Sequence, residues 1–267
     1  MEHVLALMAG AGALPARAAR EARRQGWRVV AFAFADAPEL ADVADTYLPS
    51  RVTDIQAVLA GLVAERPRAA VFVGKFAKQT FLDHHDAADA AGRDLARQGL
   101  SDGALASMAV ATLQAMEIEV LDQREFLRSW VLAGAPAGGV EASESAWADI
   151  RAALPAARRL AELGVGQTVV CARGVVVAVE AAEGTDETIR RGTRLAGPGA
   201  VVVKAVASEH DYRFDVPAVG AETVAAMAAG GAVALAVPRG KVLLLDAEEV
   251  TRRAAAAGIA LVTVDEE

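Results

Sequence analysis

The stretch "HVLALMAGAGALPARAAREARRQGWRVVAFAF", His3 to Phe34, decides the fold. Val4 to Met8 is a short apolar run with the length of a buried strand, and Gly10 and Gly12 punctuate the chain just past it. Pro15 stands in a first helical turn, where its missing N–H costs nothing, and Gly26 closes the helix. Arg28 to Phe34 is a second apolar run, so the stretch reads as strand, helix, strand. Working outward, the alternation continues. A helix is expected near Thr53 to Glu65, a strand at "AAVFVG" ending at Gly74, polar helical stretches from His84 to Arg97 and from Ser101 to Met116, and a strand at "EIEVLD". Strands alternating with helices predict a parallel α/β sheet covered by helices, with functional loops at the carboxyl ends of its strands.

The alternation breaks at "LAGAPAGGVEASESAW", where glycine, proline and serine crowd between Gly134 and Ser145. This divides the chain into an N-terminal domain over 1–134, a linker over 135–146 and a C-terminal domain over 147–267. After the break the pattern is mixed α+β. Trp147 to Gly164 reads as a helix. "QTVVCARGVVVAVEA" reads as a hairpin turning at Arg173-Gly174, and "GAVVVKAVA" as a strand. Ala221 to Ala229 is helical, "AVALAVPRGKVLLLD" is strand, turn, strand around Pro238 to Gly240, and a helix through Ala257 leads into "ALVTVD".

The chain has 267 residues, 54% of them hydrophobic, enough for a core in each half. Its net charge of −8, with Arg and Glu interspersed, excludes a nonspecific electrostatic hold on nucleic acid. A single cysteine, Cys171, excludes an internal disulfide and a thiolate metal cage, and its apolar neighbours predict a buried side chain in a reducing, cytoplasmic setting. The first residues carry Glu2 and His3 where a secretory signal would carry positive charge. No apolar run reaches the ~18 to 20 residues of a membrane span.

Against this bland background a few clusters carry chemistry. Gly10-x-Gly12 suits the approach of a phosphate to a helix N-terminus. The third glycine of a dinucleotide fingerprint is replaced by Pro15, however, and a tight turn without a ligand fits equally well. Lys75, with Lys78, comes after an apolar strand where a cation can meet a diphosphate. Ser101 and Asp102 are first of all helix caps, with a ligand role for Asp102 as the second reading. His84 and His85 are adjacent on a polar helix and diverge around it. Glu180 ends an apolar run. After Glu183, Gly184 permits a turn that returns Thr185 and Asp186 toward the same sheet end, where they serve a site, cap the next helix, or both. In "EHDYRFDVPAVG" an extended chain would put Asp211, Arg213 and Asp215 on one face. With Lys204 upstream, that row offers cations for phosphate oxygens and carboxylates to hold Mg²⁺ or take a proton from water.

Three stretches, "MAGAGALP", "GVVVAVEAAEGTDETIRRG" from Gly174 and "VVVKAVASEHDYRFDVPAVGAET" from Val201, resemble the UDP-2,3-diacylglucosamine pyrophosphatase family of the LpxI type. The resemblance covers nearly the whole chain. It implies a Rossmann-like N-terminal domain, a C-terminal α+β catalytic domain, and a substrate, a UDP-linked acylated sugar, bound between them. It further implies Mg²⁺-dependent hydrolysis at the α-phosphorus, giving UMP and 2,3-diacylglucosamine 1-phosphate for lipid A. The family's catalytic aspartate lies in an R-x-D-[LV]-P motif, matched by Arg213 to Pro217, which makes Asp215 its counterpart. Under this reading Lys204 and Arg213 are the catalytic cations. Gly10, Gly12, Lys75, Asp102, Glu183, Gly184, Thr185, Asp186 and Asp211 contact substrate, and Asp215 and Asp186 are the metal ligands. The chain departs from the family at Lys78-Gln79, where an Arg-Pro pair is common, and at Leu100-Ser101-Asp102-Gly103. An acylated substrate implies peripheral contact with the inner membrane.

Overall fold

The opening stretch folds in the computed structural model as strand β1 (His3–Ala9), helix α1 (Leu14–Arg24) and strand β2 (Trp27–Ala33). The structure describes residues 3–51, 53–76 and 102–265; the expectations for Lys78, His84, His85 and Ser101 fall outside these residues. A four-residue helix α2 (Pro38–Ala41) and a short strand β3 (Thr46–Pro49) come next. Neither was legible in the sequence, because three half-buried residues and an exposed proline give no periodicity to detect. Helix α3 (Ile55–Glu65) starts at Asp54, whose carboxylate accepts the Ala57 N–H at 3.1 Å. Strand β4 (Ala69–Val73), helix α4 (Asp102–Ala115), strand β5 (Glu119–Val120) and the single turn α5 (Arg124–Leu127) complete the run.

Among the described residues these strands form a parallel sheet in the order β3-β2-β1-β4-β5. In this doubly wound order the direction of winding reverses between β1 and β4, the point where such sheets take ligands. Two glycines let the chain ends meet there. A Cβ on Gly10 would stand 2.6 Å from the Lys75 carbonyl oxygen, and one on Gly74, at φ 101°, would stand 2.9 Å from that of Ala11. The space they leave allows Ala11 and Lys75 to exchange two backbone hydrogen bonds of 2.9 Å. An alanine at Gly10 would overpack this junction at a cost of about 1–3 kcal/mol.

The second sheet is mixed. Helix α6 (Glu144–Glu162), capped by the Ser143 hydroxyl on the Ala146 N–H, precedes strands β6 (Thr168–Ala172) and β7 (Val175–Val179). Arg173 and Gly174 turn this hairpin with φ of 52° and 75°, the paired positive values of a two-residue turn. The Asp149 carboxylate accepts both of their N–H groups. The rest of the unit runs through helix α7 (Thr185–Ala196), β8 (Val201–Lys204), the short β9 (Ala218–Val219), α8 (Ala221–Ala229), β10 (Ala234–Pro238), β11 (Leu243–Leu244), α9 (Ala247–Ala256) and β12 (Ala260–Val264). The sheet order is β12-β10-β8-β6-β7, with β6 antiparallel to both of its neighbours. The expected strand-turn-strand unit at Pro238 is corrected. β10 pairs in parallel with β8 and β12, whereas β11 pairs with β9 in a separate two-stranded ribbon. An apolar run on each side of Pro-Arg-Gly is shared by a hairpin and by two strands of different sheets, so sequence alone could not separate them.

The chain forms two compact units. One holds Met1–Arg128 together with Asp211–Asp215, and the other holds Ser129–His210 and Val216–Glu267. The core of the first gathers Met8, Val30, Phe32 and Leu62 with Phe214 packed against it. The core of the second gathers Ile150, Val169, Cys171, Val201 and Val203 beneath α6. Among the described residues no helix is long and apolar enough to cross a membrane.

Candidate functional site

In the second unit the strand pairing builds a polar row at one end of an otherwise apolar sheet. Antiparallel register sets Thr168 opposite Lys204, and on its other side the Glu180 N–H donates to the Thr168 carbonyl at 2.8 Å. All three side chains are buried, Lys204 at 5% exposure and Glu180 at 7%. An ammonium this buried costs several kcal/mol unless it is well bonded. The partner comes from the next turn. Gly184 precedes α7 at φ 81°, ψ 172°, a conformation essentially open only to glycine, and it delivers the Thr185 hydroxyl into the row. Thr185 Oγ1 donates to Glu180 Oε1 at 2.9 Å and accepts from Lys204 Nζ at 3.2 Å. Because a hydroxyl has one proton, the 3.3 Å contact with Thr168 Oγ1 is completed by the Thr168 proton. Glu180 Oε2 accepts the Gln167 N–H at 3.2 Å. A cation, a carboxylate and two hydroxyls are thereby held in one orientation, an arrangement suited to meeting negative oxygen atoms with little reorganisation.

The turn between β7 and α7 has its own work for Glu183. Its carboxylate accepts from the Ala181 N–H, the Thr188 hydroxyl and Arg191, whose guanidinium also donates to the Val179 carbonyl at 2.9 Å. The Arg191 hydrogen bond, then backbone and Thr188 contributions, hold the Glu183 carboxyl below its usual range. Asp186, one residue into α7, accepts the Thr223 hydroxyl of α8 at 2.9 Å on Oδ1. Neither residue caps α7; Gly184 holds the cap position with no side-chain bond.

The expected extended row of Asp211, Arg213 and Asp215 is corrected. Residues 212–214 form a turn, with the Phe214 N–H donating to the Asp211 carbonyl at 3.2 Å. The cause is Asp211 itself. Its carboxylate accepts the Arg213 N–H at 3.0 Å and takes the Arg213 guanidinium in a fork of 2.6 and 2.8 Å, so a local side-chain bond replaces the strand. This bond also raises the Arg213 pKa above its usual value. The turn belongs to the first unit, where Phe214 packs on Phe72 with centroids 5.3 Å apart, and Asp215 is exposed at its end.

Of the other expected residues, Gly10 is buried and Gly12, at φ 102°, has open space where a Cβ would stand. Lys75 is exposed past β4, and Asp102 opens α4. The structure brings Glu180, Thr185 and Lys204 together in one unit and places Gly10, Gly12, Lys75, Asp211, Arg213 and Asp215 in the other. Sequence reasoning missed Thr168, Asp122, Arg124 and Tyr212. Thr168 carried a faint signal, a hydroxyl at the head of an apolar strand; Asp122 and Arg124 lie far from Tyr212 in sequence, and the three gave none. Among the described residues no three His, Cys, Asp or Glu side chains gather as a metal cage. The Asp215 carboxylate, exposed on the first unit, is of the chemistry that holds Mg²⁺ together with substrate phosphates.

The fold and these groups define a two-unit α/β protein with polar groups at sheet ends. The model of the LpxI N-terminal domain matches residues 4–130, and that of the LpxI C-terminal domain matches residues 134–262. The chain belongs to the LpxI family. The UDP-2,3-diacylglucosamine pyrophosphatase LpxI of Caulobacter vibrioides is 29% identical over 281 residues, covering 98% of this chain and 97% of that one. Among solved structures, glycinamide-RNase-transformylase T from Mycobacterium tuberculosis matches 67% of this chain at 17% identity with a TM-score of 0.26. This chain spans 44% of that protein's length, and the likeness carries no argument.

Proposed function

We propose that this protein hydrolyses the diphosphate of UDP-2,3-diacylglucosamine, releasing UMP and 2,3-diacylglucosamine 1-phosphate for lipid A synthesis. The observation that carries the proposal is the end-to-end match to a relative bearing that activity in its name, with both domain models in order. The chemistry of the residues supports it. Water attacks the α-phosphorus in line, a new P–O bond forms, and the bridging P–O bond breaks with the sugar phosphate as leaving group. Asp215, exposed at the end of its turn, is the proposed group that orients the water or receives its proton. Lys204, fixed by Thr185, and Arg213, fixed by Asp211, are the proposed cations for the diphosphate oxygens. Mg²⁺, when bound, neutralises charge on the diphosphate. Asp215 is the first candidate to hold it, and Asp186 in the other unit is the second.

The test is UMP release from UDP-2,3-diacylglucosamine with and without Mg²⁺, by the wild type and Asp215→Ala, with UDP-N-acetylglucosamine as comparator. The expected result is Mg²⁺-dependent release from the acylated substrate and a fall of roughly 10²-fold or more in the variant. Equal turnover of the unacylated sugar would remove the lipid from the proposal, and UMP binding without turnover would make the chain a nucleotide-sugar-binding protein. A cytoplasmic protein touching the inner membrane at its periphery is the proposed setting, because the acyl chains reside there. Co-sedimentation with substrate-bearing liposomes is expected, and its failure would remove the membrane contact.

A further inference from the structure

The turn carrying Asp215 lies in sequence between β8 and β9 of the second unit, yet packs as part of the first. Leaving one unit and returning to it is entropically costly for five residues unless strong contacts hold them. The structure shows such contacts at two points. At the first, the Gln123 N–H donates to the Tyr212 carbonyl at 3.3 Å, and the Arg124 guanidinium lies 3.5 Å from the centre of the Tyr212 ring. Arg124 is itself held. Asp122 takes its Nε on Oδ1 at 3.1 Å and its Nη2 on Oδ2 at 2.6 Å as a fork, and accepts its N–H on Oδ1 at 2.8 Å. The same bond raises the Arg124 pKa above its usual value. At the second point, Phe214 reaches Phe72 of β4, which in turn contacts Phe76 at 6.1 Å.

We propose that Asp122, Arg124, Tyr212, Phe72 and Phe214 form a clamp that seats residues 211–215 on the first unit and so positions Asp215. None of these side chains need touch substrate; they are positioning residues, and the inference rests on the proposed role of Asp215 only for its effect on turnover. The geometry favours this over incidental surface packing. An Arg oriented by a bidentate carboxylate and stacked on an aromatic face has its rotamers fixed at both ends, and the residue beside it donates the backbone bond to the same tyrosine. A lysine at 124 would keep the charge and lose both the fork and the flat stacking surface.

The experiment compares amide hydrogen exchange in the full chain for the wild type, Arg124→Lys, Arg124→Ala and Tyr212→Phe. Steady-state turnover of UDP-2,3-diacylglucosamine is measured on the same samples. The expected result is exchange at Arg213, Phe214 and Asp215 faster by roughly tenfold in both Arg124 variants, with β1, β2 and β6 unchanged. In turnover, kcat should fall with little change in KM, while Tyr212→Phe, which keeps the ring face, stays close to wild type. Exchange at 213–215 that does not respond to Arg124 overturns the clamp whatever the turnover. Exchange that responds while kcat is untouched in an active enzyme overturns its positioning of Asp215. A wild type without turnover overturns the proposed reaction instead, and the exchange result still decides whether the clamp exists.

Discussion

At the scale of single residues the most consequential is Thr185, whose hydroxyl bonds a carboxylate, a lysine and a second threonine at once. If Lys204 acts as a cation for the diphosphate, its aim depends on that hydroxyl more than on the bulk of the side chain. Thr185→Ser retains the oxygen, and Thr185→Val retains the shape. Valine is expected to lower kcat/KM on the UDP-sugar by about one order of magnitude and to destabilise the unit by about 1–3 kcal/mol, since it leaves buried partners unbonded. Serine should recover most of both. Parallel kinetics and urea unfolding of the two variants check this; equal loss in both would mean that the methyl group, and not the hydrogen bond, matters. Cys171 provides the contrast. Burial, its largest influence, raises the thiol pKa, and the side chain packs in the core as a small apolar group.

At the scale of elements the joint between β7 and α7 decides whether Thr185 arrives where it does. Gly184 supplies a backbone conformation closed to other residues, and Glu183 ties Ala181, Thr188 and Arg191 together across the turn. The lowered Glu183 pKa sets the direction of the acid response. A carboxylate lowered in the folded state contributes stability that is fully present above its unfolded value, about 4.3, and is lost as pH falls through the lower folded value. Urea midpoints measured at pH 7 and near pH 3 are expected to show a larger acid loss in the wild type than in Glu183→Gln, which has nothing to protonate. Equal losses would place the acid sensitivity elsewhere. A different pair of elements, β1 and β4, meets through Gly10 and Gly74, so Gly10 has a full structural reason to be glycine in the contact its own backbone makes with Lys75. Gly12, open on the side where a Cβ would stand, is the better glycine to ask about substrate approach.

At the scale of the whole molecule, the N-terminal unit is completed by residues that the ribosome adds more than eighty positions later. A fragment covering residues 1–134 lacks Tyr212 and Phe214 and exposes the Phe72 face they pack against. Full burial of a phenylalanine is worth about 1.5–3 kcal/mol, and half-buried Phe214 contributes less than that. The fragment is therefore expected to unfold at a lower urea concentration than the same unit within the full chain, read by amide exchange at β1 and β4. An unchanged profile would show that the returning turn adds no stability to the unit that receives it.

By itself the sequence determined most of the elements and the class. The apolar runs of β1, β2, β4 and β12, the helix from Ala221 to Ala229, the Arg173-Gly174 turn and the α/β alternation were all legible, because strand and helix periods, caps and positive-φ turns are local properties. The stretches near the start, from Gly174 and from Val201 also pointed to the family that the two domain matches show. Only the tertiary structure decided three things. It paired β11 with β9 and not with β10, folded Asp211–Asp215 into a turn held by the first unit, and gathered Thr168, Glu180, Thr185 and Lys204 around one hydroxyl. The ribbon pairing, the seating of that turn on Gln123 and Phe72, and the reach of Lys204 to Thr185 depend on partners distant in sequence, and such contacts leave no period or spacing in a single chain.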